Sequence, residues 1–406
     1  MVVGPTKTLP CWPPIVQSLL SPSNPRASIL APVPTRFEAP SLAVTMHGRQ
    51  DWANLPPDMI TLISEKASIT NTMYVHLRAV CKGWRSSLTP HPRHLPRQSP
   101  WLLLPRLGVH DFLLRFYNPS LCKSYHFNLP CLSGKYIYNS YGWFVLNHGC
   151  RVSLFNPITG NSFDLPSLDA MSKSERAVPN VPHYCLQKVL LSCNPSEPDF
   201  FVVAWFLSWS DWELGFCRIG DTHWNRLKKR DGCTSLLDFT CHRNSVYTVN
   251  CKKEVSVYDL QSLTVWTYPS KIIYYPNYQR INLVEGDGES GGPLVVITYE
   301  CHGNNNLINV YKWYEYDSQQ QWCLVMDIGK RALFLNRFNC TNLQLEGTQG
   351  NAIYYDASCP LDLNSFRVSI NRVFLKSGSV LQHNLGPLVE FPTICGWFSW
   401  FTPSLI

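Results

Sequence analysis

The sequence predicts an α+β multidomain chain, a short all-α unit followed by an all-β propeller, with six blades favoured and five or seven open. Three observations carry this. Residues 55–85 alone have helical periodicity, residues 101–406 read as short strands and turns, and within them one hairpin unit returns six times. Composition agrees: of 406 residues 45% are hydrophobic and 13% aromatic, and only 16% are charged. Such a chain can bury a large core and is rich in side chains that suit a pleated sheet.

The helical unit begins at Leu55-Pro56-Pro57-Asp58. Proline is tolerated in a first helical turn, where its missing N–H costs nothing, and an acid there meets the positive end of the dipole. Met59, Ile60 and Ile63 then share a face. A break at residues 68–71 supplies a new cap, and Met73, Leu77, Val80, Trp84 and Leu88 recur at helical spacing. The spacing predicts two helices, the second running through Gly83 at a cost of about 1 kcal/mol relative to alanine. Two short helices bury too little surface to stand alone, so a partner is the economical expectation.

Leu55-Pro56 at one end and Val80-Cys81-Lys82-Gly83-Trp84-Arg85 at the other closely resemble the F-box, the motif that docks onto the Skp adaptor of a cullin–RING ubiquitin ligase. The resemblance implies that Leu55, Pro56, Ile60, Ile63, Val80, Cys81 and Trp84 face the adaptor. Between the two ends, polar Ser64, Glu65 and Thr70 stand where F-boxes usually place further leucines. The plain alternative is a helical hairpin packed on the next domain.

Four segments follow from this: residues 1–47, rich in proline; 48–89, the F-box; 90–100, a proline-rich linker; and 101–406, the propeller. The first segment lacks sustained periodicity and is expected to be disordered. Its bases Lys7, Arg26 and Arg36, with Glu38 as its only acid, keep an organelle transit peptide open beside a cytoplasmic or nuclear location. The prolines of the linker make it a semi-rigid spacer.

The repeated unit is an apolar strand, a polar turn and a second strand opening or closing on an aromatic. It runs from Leu114 through Asn118-Pro119 to Tyr125, from Val152 through Asn156-Pro157 to Phe163, and from Phe216 through Gly220-Asp221 to Trp224. It returns from Val255 through Asp259 to Trp266, from Tyr314 through Asp317 to Trp322, and from Val373 through Lys376 and Gly378 to Val380. The turns lie roughly 40 to 65 residues apart, near the period of about 50 of kelch-type blades. Each hairpin is read as the outer pair of a four-stranded blade, since radial stacking covers both faces of each sheet and leaves only short edges. A pair of β-sandwiches is the alternative.

Near the C-terminus come Asp327-Ile328-Gly329 leading to Leu333, then Gly350-Asn351-Ala352-Ile353-Tyr354-Tyr355, then Trp397 and Trp400 before Pro403. These motifs, in this order, resemble the plant F-box family that carries domain of unknown function 295. The resemblance implies a propeller substrate receptor behind an F-box. From the residues themselves, 331–335 is a central strand, Gly350-Asn351 a hairpin turn, and the final aromatics close the ring against residues 101–104.

Other chemistry is weakly signalled. The net charge of +7 is mild, and Lys228-Lys229-Arg230 and Lys252-Lys253 are too small for a nucleic-acid surface. Sixteen cysteines, with no Cys-x-x-Cys pair and most inside apolar runs, read as free thiols in a reducing compartment. The spacing of Cys233, Cys241, His242 and Cys251 fits no zinc pattern. No apolar stretch has the length of a membrane span. Gly286-Asp287-Gly288-Glu289-Ser290-Gly291 has dinucleotide-fold spacing but precedes a strand rather than a helix. The same stretch resembles the nucleophile loop of trypsin-like proteases, whose histidine setting is missing here; a turn between two strands is simpler.

Trp205, Trp209 and Trp212, beside Phe201 and Phe206, read as core, and as substrate anchors only if an end exposes them. Asn339-Cys340-Thr341 fits a glycosylation sequon, of consequence only in a secreted chain. Asp231, Asp238 and Glu300 are dispersed in sequence and give no carboxylate site. The sequence therefore predicts a non-enzymatic substrate receptor without cofactor or metal. Its partners would be a Skp-type adaptor, through it cullin and a RING protein, and an unknown protein target; neither nucleic acid nor membrane is expected. A stand-alone propeller module with a degenerate F-box is the alternative.

Overall fold

A cysteine decides how the helical unit is cut. The computed structural model describes residues 52–66, 71–89, 92, 95, 99–106, 108–119, 123–168, 185–195, 197–207, 212–228, 235–252, 254–268, 278–286, 293–299, 307–316, 319–336, 339–344, 350–356, 359–360, 366–375, 380–388 and 399–404. It divides into two compact units, meeting in sequence at Pro96 and Arg97. In the first, a 3-10 turn (Trp52–Asn54) leads to α1 (Pro57–Lys66), α2 (Asn71–Ala79) and α3 (Lys82–Ser87). Three helices thus replace the two expected. Cys81 has extended backbone and its Sγ accepts from the Trp84 N–H at 3.5 Å, so it caps α3 and ends the run that periodicity alone would continue. Gly83 consequently sits in a first turn rather than mid-helix. The break expected at residues 68–71 falls mostly outside the described residues.

Ile60, Tyr74, Val75, Trp84 and Leu88 form the interior of this unit. Two polar ends lock it: the Trp84 indole N–H donates to the Trp52 carbonyl at 2.8 Å, and the Tyr74 hydroxyl to that of Thr89 at 2.8 Å.

The second unit is all β, in six sheets. Strands β1 (Trp101–Leu103), β2 (Leu113–Asn118) and β3 (Lys123–Asn128) lie beside the last strand of the chain, Ser399–Phe401. Then come β4 (Tyr136–Ser140), β5 (Trp143–His148), β6 (Arg151–Phe155) and β7 (Ser162–Leu165). The third sheet is β8 (Cys185–Leu191), β9 (Val202–Leu207), β10 (Trp212–Cys217) and β11 (Asn225–Leu227). The fourth is β12 (Leu236–His242), β13 (Ser245–Asn250), β14 (Val255–Asp259) and β15 (Val265–Tyr268). The fifth is β16 (Tyr278–Val284), β17 (Leu294–Tyr299), β18 (Leu307–Tyr316) and β19 (Gln319–Val325). The sixth holds β20 (Arg331–Leu335), β21 (Cys340–Gln344), β22 (Ala352–Asp356), β23 (Cys359–Pro360), β24 (Phe366–Phe374) and β25 (Val380–Leu388), after which the closing strand is β26.

Five sheets are regular four-stranded antiparallel blades, and the expectation of six like blades needs this correction: the sixth sheet has six strands in the order β21-β20-β22-β24-β23, with β25 on β24. In it β20 and β22 run parallel. Gly350-Asn351 is therefore a landing after a crossover, not a hairpin turn. Asn351 has φ +57°, its N–H donates to the Arg331 carbonyl at 2.8 Å, and its Oδ1 accepts from the Ile328 N–H at 2.9 Å. A Cβ on Gly350 would lie 2.5 Å from the Gly329 carbonyl oxygen, so only glycine lets the two chains approach this closely.

All six hairpins read from the sequence are present, as β2/β3, β6/β7, β10/β11, β14/β15, β18/β19 and β24/β25. Residues 331–335 form a central strand, and β26 closes the ring on β1 in the register Trp101↔Phe401, Leu102↔Trp400. Trp400 is 1% exposed and its indole N–H donates to the Leu335 carbonyl at 3.1 Å, tying the closing strand to the sheet before it. β16 and β17 pair up to Val284↔Leu294, so the glycine-rich stretch joins two strands; residues 287–292 lie outside the described residues. Phe201, Phe206 and Trp212 are core and Trp205 packs against it, while Trp209 is outside the described residues.

Candidate functional site: a helical face and an axial cavity

The sequence-predicted adaptor residues divide by exposure. Pro56 and Val80 are exposed, Leu55, Ile63 and Cys81 are half-buried, and Ile60 and Trp84 are buried inside the helical unit. Ile60 and Trp84 thus sit in the interior of the unit, where their spacing also serves helix packing. Ser64, polar where a leucine would be usual, is buried and satisfies itself by donating to the Thr61 carbonyl at 2.8 Å. Four apolar side chains outside the predicted set are exposed on this unit: Trp52, Met59, Leu62 and Met73. They were legible as apolar positions, but their periodicity could not say which face turns outward.

In the propeller, β26, β4, β8, β12, β16 and β21 each form the inner edge of a sheet, and most neighbours among them touch. Buried polar side chains tie them together. The Asn139 amide donates to Ser399 Oγ at 2.5 Å, and that of Asn339 to Asn139 Oδ1 at 2.6 Å and to the Trp400 carbonyl at 3.0 Å. Ser140 Oγ accepts from the Leu191 N–H at 3.2 Å. Lys188 Nζ lies 2.6 Å from Asp238 Oδ1 and donates to the Phe239 carbonyl at 2.8 Å, while Asp238 Oδ2 accepts from the Leu283 N–H at 2.8 Å. The Asn282 amide donates to the Asn336 carbonyl at 3.0 Å, and Asn336 Oδ1 accepts from the Asn339 N–H at 2.9 Å, which closes the belt.

Sequence reasoning missed this belt, although Asp238 was among the carboxylates considered. The sequence carried little signal for it: Asn139, Lys188, Asp238 and Asn282 lie in strands that also hold other polar residues, so none stands out. Asn339, a sequon residue by sequence, is 5% exposed with its amide engaged, so it is a node of the axis. Asp231 and Glu300 lie outside the described residues, and among the described residues no group of three His, Cys, Asp or Glu side chains could hold a metal. No helix among them is long and apolar enough to cross a membrane.

At the end of the axis where the inner strands begin is a cavity of about 260 Å³. Its apolar wall includes Leu103, Leu104, Leu114, Ile137 and Leu186; Asn139, Asn339 and Ser399 of the belt also line it, with Tyr136 and Gln187. Arg106 stiffens one side: its guanidinium donates to the carbonyls of Val109, Asp111, Leu132 and Lys135. Tyr138 stiffens another, its hydroxyl donating to the Leu186 carbonyl at 2.6 Å, and burial pushes that phenol above its ordinary range. The cavity is therefore built on rigid elements with few mobile polar groups.

Comparison with known proteins agrees with this organisation. The F-box protein At2g14290 of Arabidopsis thaliana is 23% identical over 75% of this chain and 84% of its own length. The F-box/kelch-repeat protein At1g57790 of Arabidopsis thaliana is 25% identical over 76% of this chain and 84% of its own. Among solved structures, the Myceliophteria_thermophila Cps50 (Swd1) β-propeller domain shares 10% identity over 75% of this chain and 96% of that one, at a TM-score of 0.36. The KIB1-4 beta-propeller family model matches residues 116–377, from within β2 of the first sheet to just past β24 of the sixth. With a helical unit of F-box pattern ahead of that propeller, the chain belongs to the KIB1-4 β-propeller family and has the F-box/propeller organisation of plant proteins.

Proposed function

We propose that this chain is the substrate-recognition subunit of an SCF ubiquitin ligase, its helical unit docking a Skp-type adaptor and its propeller binding the protein to be ubiquitinated. The observation that carries the reading is the apolar exposure of the helical unit. Trp52 is 60% exposed, Val80 55%, Met73 51%, Met59 48% and Leu62 46%. So many large apolar side chains on one small unit mark an interaction surface. Leu55, Pro56, Ile63, Val80 and Cys81 supply the motif-specific part of that surface, and Ile60 and Trp84 hold its shape.

The chain itself performs no bond chemistry in this scheme. The adaptor leads to cullin and the RING protein, and rate enhancement comes from holding the target near the ubiquitin-charged partner. Such a complex would act in the cytoplasm or nucleus.

Adaptor pull-down with the full chain tests it. Val80→Asp places a charge on the exposed surface without touching the interior and is expected to abolish binding, whereas Leu263→Asp on the propeller leaves it unchanged. Undiminished adaptor binding by Val80→Asp, or none by the folded parent chain, would sink the ligase reading and leave a stand-alone propeller module.

A further inference from the structure

Among the described residues, the Arg78 guanidinium has no partner of opposite charge. It lies on α2, half-buried, and its side chain neither donates a hydrogen bond nor joins an ion pair there. Its Nε is buried without a partner, which leaves the two Nη groups as the accessible part of the fork. Arg85 of α3 stands next to it, its Nε donating to the Arg78 carbonyl at 3.3 Å across the junction of Val80, Cys81 and Lys82. Partial burial lowers the Arg78 guanidinium from its usual range; the Tyr74 phenol opposes that, and the charge of Arg85 adds to it. Lys82, exposed at the same junction, is a third base, whereas Asp58 and Glu65, the acids among the described residues of this unit, both lie on α1.

We infer that Arg78, with Arg85 and Lys82 around it, receives a carboxylate of the docked adaptor, an Asp or Glu side chain held end-on by the two Nη groups. This rests on the adaptor reading above and adds the chemistry of the partner, whose surface against the junction of α2 and α3 is then acidic. Two things favour a protein carboxylate. The junction between the arginines carries Val80, 55% exposed, and Cys81, so the bases flank the motif-specific part of the proposed docking surface. The planar guanidinium matches a carboxylate bidentately, and such a bond strengthens when apolar neighbours are covered and water is excluded.

Adaptor binding by the full chain, measured over a series of salt concentrations, tests the inference. Arg78→Met keeps an apolar stem and removes the fork. It is expected to bind about thirtyfold more weakly at low salt, the loss of one partner of a desolvated charge pair, and to depend less on salt than the parent. Arg78→Lys returns the charge without the fork and should recover only part of the loss. Lys330→Gln, at an exposed residue of the propeller, should change neither affinity nor salt dependence. Replacing the adaptor's Asp and Glu residues one at a time by Asn and Gln should find one whose loss weakens the parent chain but not Arg78→Met. Should Arg78→Met misfold, Arg85→Gln, at an exposed residue, decides instead, with a several-fold loss and a shallower salt dependence expected.

Parent-like binding by the deciding variant, with the parent's salt dependence, would overturn the inference and leave the adaptor reading standing. So would a loss that is the same at every salt concentration and coupled to no adaptor carboxylate, which would make Arg78 a packing residue of the helical unit. Vesicles containing phosphatidylserine are a further probe: capture of the parent chain that Arg78→Met loses would make headgroup phosphate the anion and overturn the protein carboxylate. A folded parent chain that captures no adaptor at any salt concentration would remove the ligase reading itself and this inference with it, an outcome read from the parent alone and so distinct from those read from the variants.

Discussion

Residue by residue, the turns of the repeated hairpins show how one backbone is met by different side chains. In the β6/β7 turn, Asn156 Oδ1 accepts from the N–H groups of Ile158 and Thr159, and Gly160 takes φ +78°. In the β14/β15 turn, Asp259 Oδ1 accepts from Gln261 and Ser262, and the left-handed place falls to Leu263 at φ +56°. Leucine in that region is strained by about 1–2 kcal/mol, and Leu263, 66% exposed, gains little packing in return. Leu263→Gly is therefore expected to raise stability by about 0.5–1 kcal/mol after glycine's own entropic cost, read as a higher denaturation midpoint; a lower midpoint would show that the leucine is held by contacts.

Asp259 adds a pH-dependent element to the same turn. Backbone donors from Ser262 and Gln261 hold its carboxyl below the usual range. A depressed folded value stabilises the fold above the unfolded value, near pH 4, and that contribution is lost as pH falls through the folded one. Asp259→Asn should thus flatten the stability profile on the acid side of pH 4 and change little at pH 7. An unchanged acid limb would mean that the turn adds nothing. Both turns were visible in the sequence as Asx residues between apolar strands; the strain at Leu263 was not, because nothing in a leucine announces its φ.

At the level of elements, what sequence reveals is periodicity, and what it hides is where an element stops. The six outer hairpins were legible because each alternates apolar and polar residues around a turn of recognisable chemistry. The sixth sheet was only partly so: β20 reads as a buried strand, yet its parallel pairing with β22 comes after β21 has intervened in the chain, and no local pattern announces that. α2 and α3 show the same limit, since a cysteine cap leaves no periodic trace. The closing strand was legible because its aromatics have no partner nearby in sequence and complement the equally apolar β1. Trp400→Ala is expected to cost about 3–5 kcal/mol, because it removes a ring packed against Phe334 and Leu102 and a hydrogen bond that joins two sheets. Trp266→Ala, at a 47% exposed residue of the outer strand β15, should stay within about 0.5 kcal/mol. If both substitutions cost the same by chemical denaturation, ring closure has no special weight.

For the propeller as a whole, the polar belt is the one feature that apolar patterning could not foretell, because it exists only when strands far apart in sequence meet at the axis. Apart from the Asn336–Asn339 contact, its bonds join residues 45 to 260 positions apart. Sheets that pack by apolar faces alone could slide or add a neighbour; directional bonds at each junction restrict them to one arrangement. The Lys188–Asp238 pair is the test, with side chains 3% and 5% exposed. Lys188→Met leaves a buried carboxylate that still accepts from Leu283 but has lost its cation, and is expected to cost about 3–5 kcal/mol. Adding Asp238→Leu removes the stranded charge, and the double variant should recover most of the loss, since buried pairs contribute little net stability against apolar residues of similar volume. The recovered fold is then expected to unfold less cooperatively, because Leu283 has lost its acceptor and the junctions of β8, β12 and β16 have lost their directional bonds. A double variant that regains both midpoint and slope would show that the belt stabilises without specifying; one that stays as unstable as Lys188→Met would show that the ion pair itself holds those three blades together.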